Sequence, residues 1–381
     1  MSSRPFWRRT AAVARKEALH VLRDRRSLGM ALAVPLVMLL LFGYALTLDV
    51  DRVPTVIYDR DGTPESRQLV ERFSGSRYFQ VLGSASSYAP FERRVDRNAA
   101  MLAVVIPPDF SRELLAGRRP EVQLLFDGSD SNTASIALGY ADALLQSYAF
   151  ELRRAWLDRR GGGRLDNPVE ARIRIWYNPE LKSRNFIVPG LIVVILMIIA
   201  ALLTSLTIAR EWEMGSMERL LATPLRAPEL VLGKMAAYFV LGLADMLMAA
   251  GAGVLVFGVP LRGNPLLVFA SGCVFLLGAL FWGIFLSAAA RSQVLAYQLG
   301  MLTSFLPAFL LSGFVFAIEN MPVVVQAVTY VFPSRYFVAI LKGLFLKGTG
   351  LAVLWGEIAL LAVYAGVVFL LAVRKVGQRL A

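Results

Sequence analysis

The chain has 381 residues, 56% of them hydrophobic, and a mean hydropathy of +0.56, too apolar for an ordinary soluble protein. Its single histidine, His20, and single cysteine, Cys273, exclude His/Cys metal centres, Ser-His-Asp or Cys-His catalysis and any disulfide within the chain. The net charge of +12 suggests nucleic acid only until it is located, because it sits beside long apolar runs and not on a basic domain.

In chain order, residues 1–27 read as a cytoplasmic amphipathic helix lying in the headgroup layer. Trp7, Ala11, Ala14, Ala18, Val21 and Leu22 recur at helical spacing among Arg8, Arg9, Arg15, Lys16, Arg23, Arg25 and Arg26. The plainer role is a basic flank that sets topology. Residues 28–48 form the first span. It is too long for a signal-peptide core and lacks a clear cleavage site, so it reads as a retained anchor.

Residues 49–185 are long enough for a core of their own. Strand-like runs at Val53–Tyr58, Tyr78–Leu82, Met101–Ile106, Glu121–Phe126 and Ala171–Tyr177 alternate with helical patterns at Pro64–Phe73, Pro108–Ala116 and about 132–159. This predicts an α/β domain, with Gly161–Gly163 breaking the long helix before the last strand. Residues 186–373 hold five further spans, near 186–209, 235–259, 265–290, 294–318 and 351–373. The stretches 322–332 and 336–346 are apolar but too short to cross, so the 319–350 region reads as re-entrant or interfacial. Residues 374–381 are a short basic tail. No internal repeat is visible, which weighs against a transporter built from inverted repeats.

With the N-terminus inside, the cytoplasmic pieces hold 16 Lys/Arg and 6 Asp/Glu, the short outer loops 4 Lys/Arg, and residues 49–185 are nearly balanced at 20 basic and 19 acidic. This positive-inside bias puts 49–185 outside and both termini in the cytoplasm. The predicted fold is a polytopic α-helical membrane protein with six transmembrane helices and an inserted extracytoplasmic α/β domain.

The most informative segment is Arg210–Pro224, REWEMGSMERLLATP, a charged, helix-competent stretch between two apolar spans. It is too short to be a domain and must lie at the membrane surface, within reach of another protein. No phosphate-binding loop exists here. Gly233-Lys234-Met235 lacks the earlier Gly and the Ser/Thr after Lys, so any ATP hydrolysis belongs to another polypeptide.

The pattern through Lys234 resembles the segment after the second span in ABC-2 type permeases, a charged E-x-G-(S/T)-x-E-x-L-x-x-(T/S)-P helix. Glu213, Gly215, Ser216, Glu218, Leu220, Thr223 and Pro224 occupy its positions. Val105–Leu114 and Leu124–Thr133 look like the outer domain of bacterial drug-efflux permeases of this family, and Met321–Leu346 like their loop between spans five and six. The resemblance implies a bacterial inner-membrane export permease that docks on a nucleotide-binding ATPase subunit. ATP and Mg would be held by that partner, and this chain would carry no cofactor or metal. It further implies a second permease copy or a paralogous permease, a periplasmic adaptor protein, membrane lipid as surroundings, and no nucleic acid.

The expected coupling residues are Glu211, Glu213, Gly215, Ser216, Met217, Glu218, Leu220, Thr223 and Pro224. Met217, Leu220 and Leu221 would face a partner pocket or the membrane, and Glu211, Glu213 and Glu218 would meet basic groups. Because spans two and five line the central path in that family, Thr204, Ser205, Thr303, Ser304, Phe305 and Pro307 are candidates for the translocation path, together with Asp245. A carboxyl in mid-span costs roughly 3 kcal/mol on insertion scales and should face protein or water. Its ordinary role is a hydrogen bond to a neighbouring helix, and a cation site or gating contact is the sharper alternative. Ser and Thr in spans usually bond their own backbone. The readings of the whole chain are a permease for an amphipathic or hydrophobic compound, a lipid or polysaccharide exporter of the same family, and a non-transporting membrane scaffold or sensor.

Overall fold

The structure is a computed structural model that describes residues 4–45, 52–84, 87–88, 93–97, 99–118, 120–159, 177–178, 182–290 and 292–380. The chain divides into two compact units, one formed by Met1–Thr47 with Arg174–Ala381 and the other by Leu48–Ile173.

The second unit is built on a four-stranded sheet ordered β2-β1-β3-β4, with β1 Val53–Asp59, β2 Phe79–Ser84, β3 Leu102–Ile106 and β4 Gln123–Phe126. β1 runs parallel to β2 and β3, and β4 is antiparallel to β3. The parallel step from β1 to β2 needs a crossover, which α3 (Pro64–Gly75) supplies. Pro64 fits its first turn because the missing N–H is unused there, and Thr63 and Ser66 form a reciprocal cap. Helices α4 (Phe110–Leu115) and α5 (Ser131–Arg159) complete the unit. Leu69 and Phe73 of α3 meet Val53, Ile57, Leu102, Val104 and Ile106 of the sheet and Ala137, Ala141 and Tyr148 of α5 in one core. Residues 171–176 of the anticipated fifth strand, and the glycines 161–163, lie outside the described residues.

The first unit is helical. Helix α1 (Arg4–Arg23) leads into α2 (Arg25–Ala45); α6 (Ser183–Glu213), the short α7 (Ser216–Leu221), α8 (Ala227–Leu255), α9 (Pro265–Ala289) and α10 (Gln293–Leu310) follow the sheet unit. The chain ends with α11 (Val323–Thr329), α12 (Pro333–Lys342) and α13 (Leu351–Leu380). Among the described residues, six helices are long and apolar enough to cross a membrane: α2, α6, α8, α9, α10 and α13. Helix α6 is the centre of this unit. Its apolar window is 83% buried, against 22% for α2, α10 and α13, and α2, α8, α9, α10 and α12 all pack on it.

Three boundaries differ from the sequence reading. Helix α6 continues without a break into the charged segment as far as Glu213. Helix α10 stops at Leu310, three residues after Pro307, and residues 311–316 bend; Lys342 Nζ holds that bend by donating to the Gly313 carbonyl at 2.7 Å. Helix α13 runs through the basic tail to Leu380. The two short apolar stretches become α11 and α12, bent by 86° at their junction. Pro333 explains the break, because it excludes the helical region for Phe332, which is extended.

Candidate functional site

The segment 210–224 is not one helix. Its first turn belongs to α6, Met214 caps that helix, and Gly215 stands at φ +67 before α7 begins. A residue with a Cβ is disfavoured in this left-handed conformation, so the glycine sets the break. After α7, Thr223 Oγ1 donates to the Leu220 carbonyl at 2.6 Å, and Pro224 follows.

The two faces of this segment differ. Met217 is fully buried in a cluster with Val13 of α1, Ile208 of α6, Leu230 and Val231 of α8, Phe281 and Ile284 of α9, and Val368 and Val376 of α13. Leu220 packs partly against the same cluster. Met217 therefore faces this chain's own core, not a partner or the membrane, which corrects the sequence reading; the Leu221 side chain lies outside the described residues. The opposite face carries Met214, Glu218, Arg219, Ala222, Thr223, Pro224 and Arg226, all exposed.

The acidic residues divide in the same way. Glu211 is only 6% exposed, and its Oε1 accepts from Lys16 Nζ of α1 at 2.5 Å and lies 2.9 Å from Lys234 Nζ of α8. Lys234, 1% exposed, also donates to Glu17 Oε1 at 2.9 Å, and Lys16 reaches Glu17 at 3.1 Å. Two carboxylates and two ammonium groups thus close a ring across α1, α6 and α8. Burial favours a neutral Glu17, but Lys234 and Lys16 outweigh it and hold its carboxyl below the ordinary carboxylate value. Burial likewise disfavours charge on Lys16, but Glu211 and Glu17 hold its ammonium above the ordinary lysine value.

Glu213 is also used within the chain. Its Oε1 accepts the backbone N–H of Gln293 at 2.7 Å and its Oε2 the side-chain amide of Gln293 at 2.5 Å. Gln293 opens α10, so a carboxylate from the end of α6 meets the positive end of another span. Of the three glutamates expected to meet a partner's basic groups, Glu211 is buried and Glu213, though exposed, is engaged by Gln293, which leaves Glu218 exposed and without a side-chain hydrogen bond or ion pair among the described residues.

Helix α1 locks the other end of the segment. Arg9 Nη1 donates to the Pro224 carbonyl at 2.7 Å and lies 3.7 Å from Glu229, whose Oε2 accepts the Arg226 N–H at the start of α8. The close packing of α1 on α8 depends on Gly233: a Cβ there would stand 2.9 Å from the Thr10 carbonyl and 2.6 Å from the Val13 Cβ. The buried face of α1 is Thr10, Val13 and Glu17, while Trp7, Ala11 and Leu22 are exposed. The apolar stripe read from the sequence is therefore only partly free, since Ala14, Ala18 and Val21 are half-buried and Val21 packs on the helical core, and a second, mixed face binds the protein.

The candidate path residues are mostly closed within this chain. Thr204 Oγ1 donates to the carbonyls of Ala200 and, across helices, Leu280; Ser205 Oγ donates to Leu202. Thr303 donates to Leu299 and accepts from Trp282 Nε1 at 3.0 Å. Phe305 packs against the central core, and Pro307 sits inside α10. Ser304 and Asp245 are buried, and neither the Ser304 hydroxyl nor either Asp245 oxygen has a hydrogen-bond partner among the described residues. The interhelical hydrogen bond expected for Asp245 is not made among the described residues.

The sequence reading missed the ring of Lys16, Glu17 and Lys234 and the ties through Arg9, Glu229 and Gln293. Two signals were available. Lys234 lies inside an apolar helix, where an unpaired ammonium is costly, and Glu17 is spaced seven residues from Thr10 and four from Val13, on one helical face.

Several apolar helices around a buried central one, with a charged break at one end of that helix, define a polytopic membrane protein. Residues 25–374 match the ABC-2 family transporter proteins, and the chain belongs to that family. It is 36% identical over 349 residues to the probable multidrug ABC transporter permease YbhS of Escherichia coli K12, covering 90% of this chain and 89% of that protein. It is 31% identical over 353 residues to the probable multidrug ABC transporter permease YbhR of the same organism, covering 93% and 94%. The inner membrane transport permease YhhJ is 27% identical over 331 residues, covering 84% of each. The chain is thus a transport component, with ATPase activity on a separate subunit.

Proposed function

We propose that this chain is the permease of an export pump in a bacterial inner membrane, moving an amphipathic or hydrophobic compound outward on a partner's ATP hydrolysis. In this reading Leu48–Ile173 is an inserted extracytoplasmic α/β domain, the six long helices are the six spans, and two permease chains pair. A periplasmic adaptor fits the outer domain. The positive-inside charge bias supports the orientation, and the names of the two multidrug permease relatives support the substrate class.

The observation that carries the reading is the two-faced segment 214–226. Its inner face is fastened by Met217, by the charge ring and by Arg9, while its outer strip, with Glu218 at the centre, stays exposed. A docking edge needs this combination of a rigid base and an open polar surface. Glu218→Lys reverses one charge without touching the base. It should weaken co-purification of the ATPase subunit by about tenfold or more and lower export in parallel. Thr133→Ala, in the sheet unit, should leave co-purification unchanged. Wild-type binding and export by the Glu218→Lys variant would remove this strip from the interface.

A further inference from the structure

The buried acids of the helical unit are of two kinds. Glu17, Glu211 and Glu229 each meet a lysine or an arginine. Asp245 meets neither. It lies inside α8, one of the long apolar helices, and is 1% exposed. Both of its carboxyl oxygens are buried, and no hydrogen bond or ion pair reaches them among the described residues.

The helices packed on α8 bring no charge to this depth. They are α1, α2, α6, α9 and α13. Residues 27–43 of α2 and 186–209 of α6 contain no ionisable side chain. Helix α9 offers only Cys273, and α13 offers Glu357 and Tyr364 before its basic end. Lys16 and Glu17 of α1 are closed in the ring with Lys234 of α8, and Tyr238 of α8 stands two turns before Asp245. A carboxylate at Asp245 therefore has neither a donor nor a counter-ion. The neutral acid costs far less to bury, so the packed arrangement favours a bound proton.

A route for that proton is half built. A partly open cavity of about 510 Å³ lies at the end of the helical unit that carries the charged segment. It is walled by Ala31 and Val34 of α2, Leu202 and Leu203 of α6, and Tyr238 and Leu241 of α8. Leu241 is four residues before Asp245 on the same helical face, about 6 Å along the axis. The cavity thus stops one helical turn short of the acid.

We propose that Asp245 is a proton-binding site. It holds a proton while α8 is packed as here, and gives it to water from the cavity when α8 parts from α2 and α6. Parting at this depth is then linked to the loss of one proton. The inference goes beyond the permease reading and stands on the helical unit alone.

The test uses the full-length chain in nanodiscs, without ATP or a partner. Infrared difference spectra at neutral pH should show the carbonyl stretch of a protonated carboxyl. Asp245→Asn should lose that band, and Asp245→Glu should keep it at a displaced frequency. The linkage is read with Leu241→Cys in a Cys273→Ala background, by timing its reaction with a small methanethiosulfonate. Dividing the rate by that of the same chain carrying Asp245→Asn cancels the thiol's own ionisation. The ratio should rise with pH, by up to about tenfold per pH unit, the limit for one proton. Asp245→Glu should restore the rise that Asp245→Asn abolishes. If Asp245→Asn loses no protonated-carboxyl band, the acid is ionised in the packed state and the proposal is overturned. A ratio that stays flat with pH overturns it too, even with the band present.

Discussion

Replacing Lys234 with methionine tests the charge ring directly. The lysine is 1% exposed and lies 2.9 Å from both Glu17 and Glu211, whose side chains are 5% and 8% exposed. Methionine fills a similar volume but leaves two buried carboxylates sharing only Lys16, which is 55% exposed. Removing one member of a buried pair costs about 3–5 kcal/mol, mostly as the penalty on the charge left behind. For a unit of this size that is a loss of roughly 6–20 °C in melting temperature. The assay is tryptophan-fluorescence melting of the solubilised protein at one scan rate, because unfolding from detergent is kinetically controlled. The double variant Lys234→Met, Glu17→Leu discards one charge of each sign and keeps the Lys16–Glu211 pair. It should regain most of the loss, with a coupling of about 2 kcal/mol between the sites. Refutation takes either of two forms. The single variant could lose less than about 1 kcal/mol, or the double variant could be as unstable as the two single losses added together.

The tie from Glu213 to α10 predicts that Glu213→Ala speeds amide exchange at Gln293–Leu295 while leaving the exchange of α9 unchanged, as read by hydrogen–deuterium exchange; unaltered exchange at Gln293 would mean the carboxylate does not cap that helix. The ring also sets a pH dependence. Glu17 is held below its ordinary 4.5, so its contribution is complete above pH 4.5 and drains as the pH falls further. Lys16 is held above its ordinary 10.5, so its contribution is complete below pH 10.5 and is lost as the pH rises past its folded value. The melting difference between wild type and Glu17→Gln should therefore stay level across that interval; a steady decline between neutrality and pH 5 contradicts the shift. For orientation, cysteines at Ser131 and Ser216 in a Cys273→Ala background should respectively react and fail to react with an impermeant thiol reagent in intact cells, and the reverse pattern inverts the assignment.

The long apolar helices were legible because lipid permits no exposed backbone, so spans are written as runs of 18 or more apolar residues, and six helices satisfy that pattern. The four described sheet strands were legible from their short apolar runs, to within one or two residues. What local pattern could not show was pairing across sequence distance. Glu17 and Lys234 are 217 residues apart and Glu213 and Gln293 are 80 apart, so no window of periodicity joins them. The sequence treated α1 as bound to lipid alone because its most apolar stripe is real. The protein-binding stripe of Thr10, Val13 and Glu17 is mixed in character, and its polarity makes sense only once Lys234 and the close approach at Gly233 are in place. For the same reason Glu211 and Glu213 looked free to meet another protein: a carboxylate on a helix end gives no local sign of whether its partner is water, another protein or a distant part of its own chain.

A docking edge can move a span only if the joint between them is stiffer than the span's own packing. At one end of the exposed strip the chain passes Gly215, a left-handed residue flanked by the buried Glu211 and Met217. At the other it passes Pro224, whose carbonyl is held by Arg9. Neither end is free to swing independently, because α1 is bonded to both and to α8. Load applied at Glu218 therefore reaches α6, α8 and α1 together. It reaches α10 by a separate route, since Glu213 grips the first residue of that helix. Among the described residues, helix α6 is the most buried of the long apolar helices and α10 one of the least, ending in a proline-weakened turn, with an unpartnered hydroxyl at Ser304. In the proposed pump, then, α6 transmits and α10 yields, because the same displacement meets dense packing on one helix and little on the other.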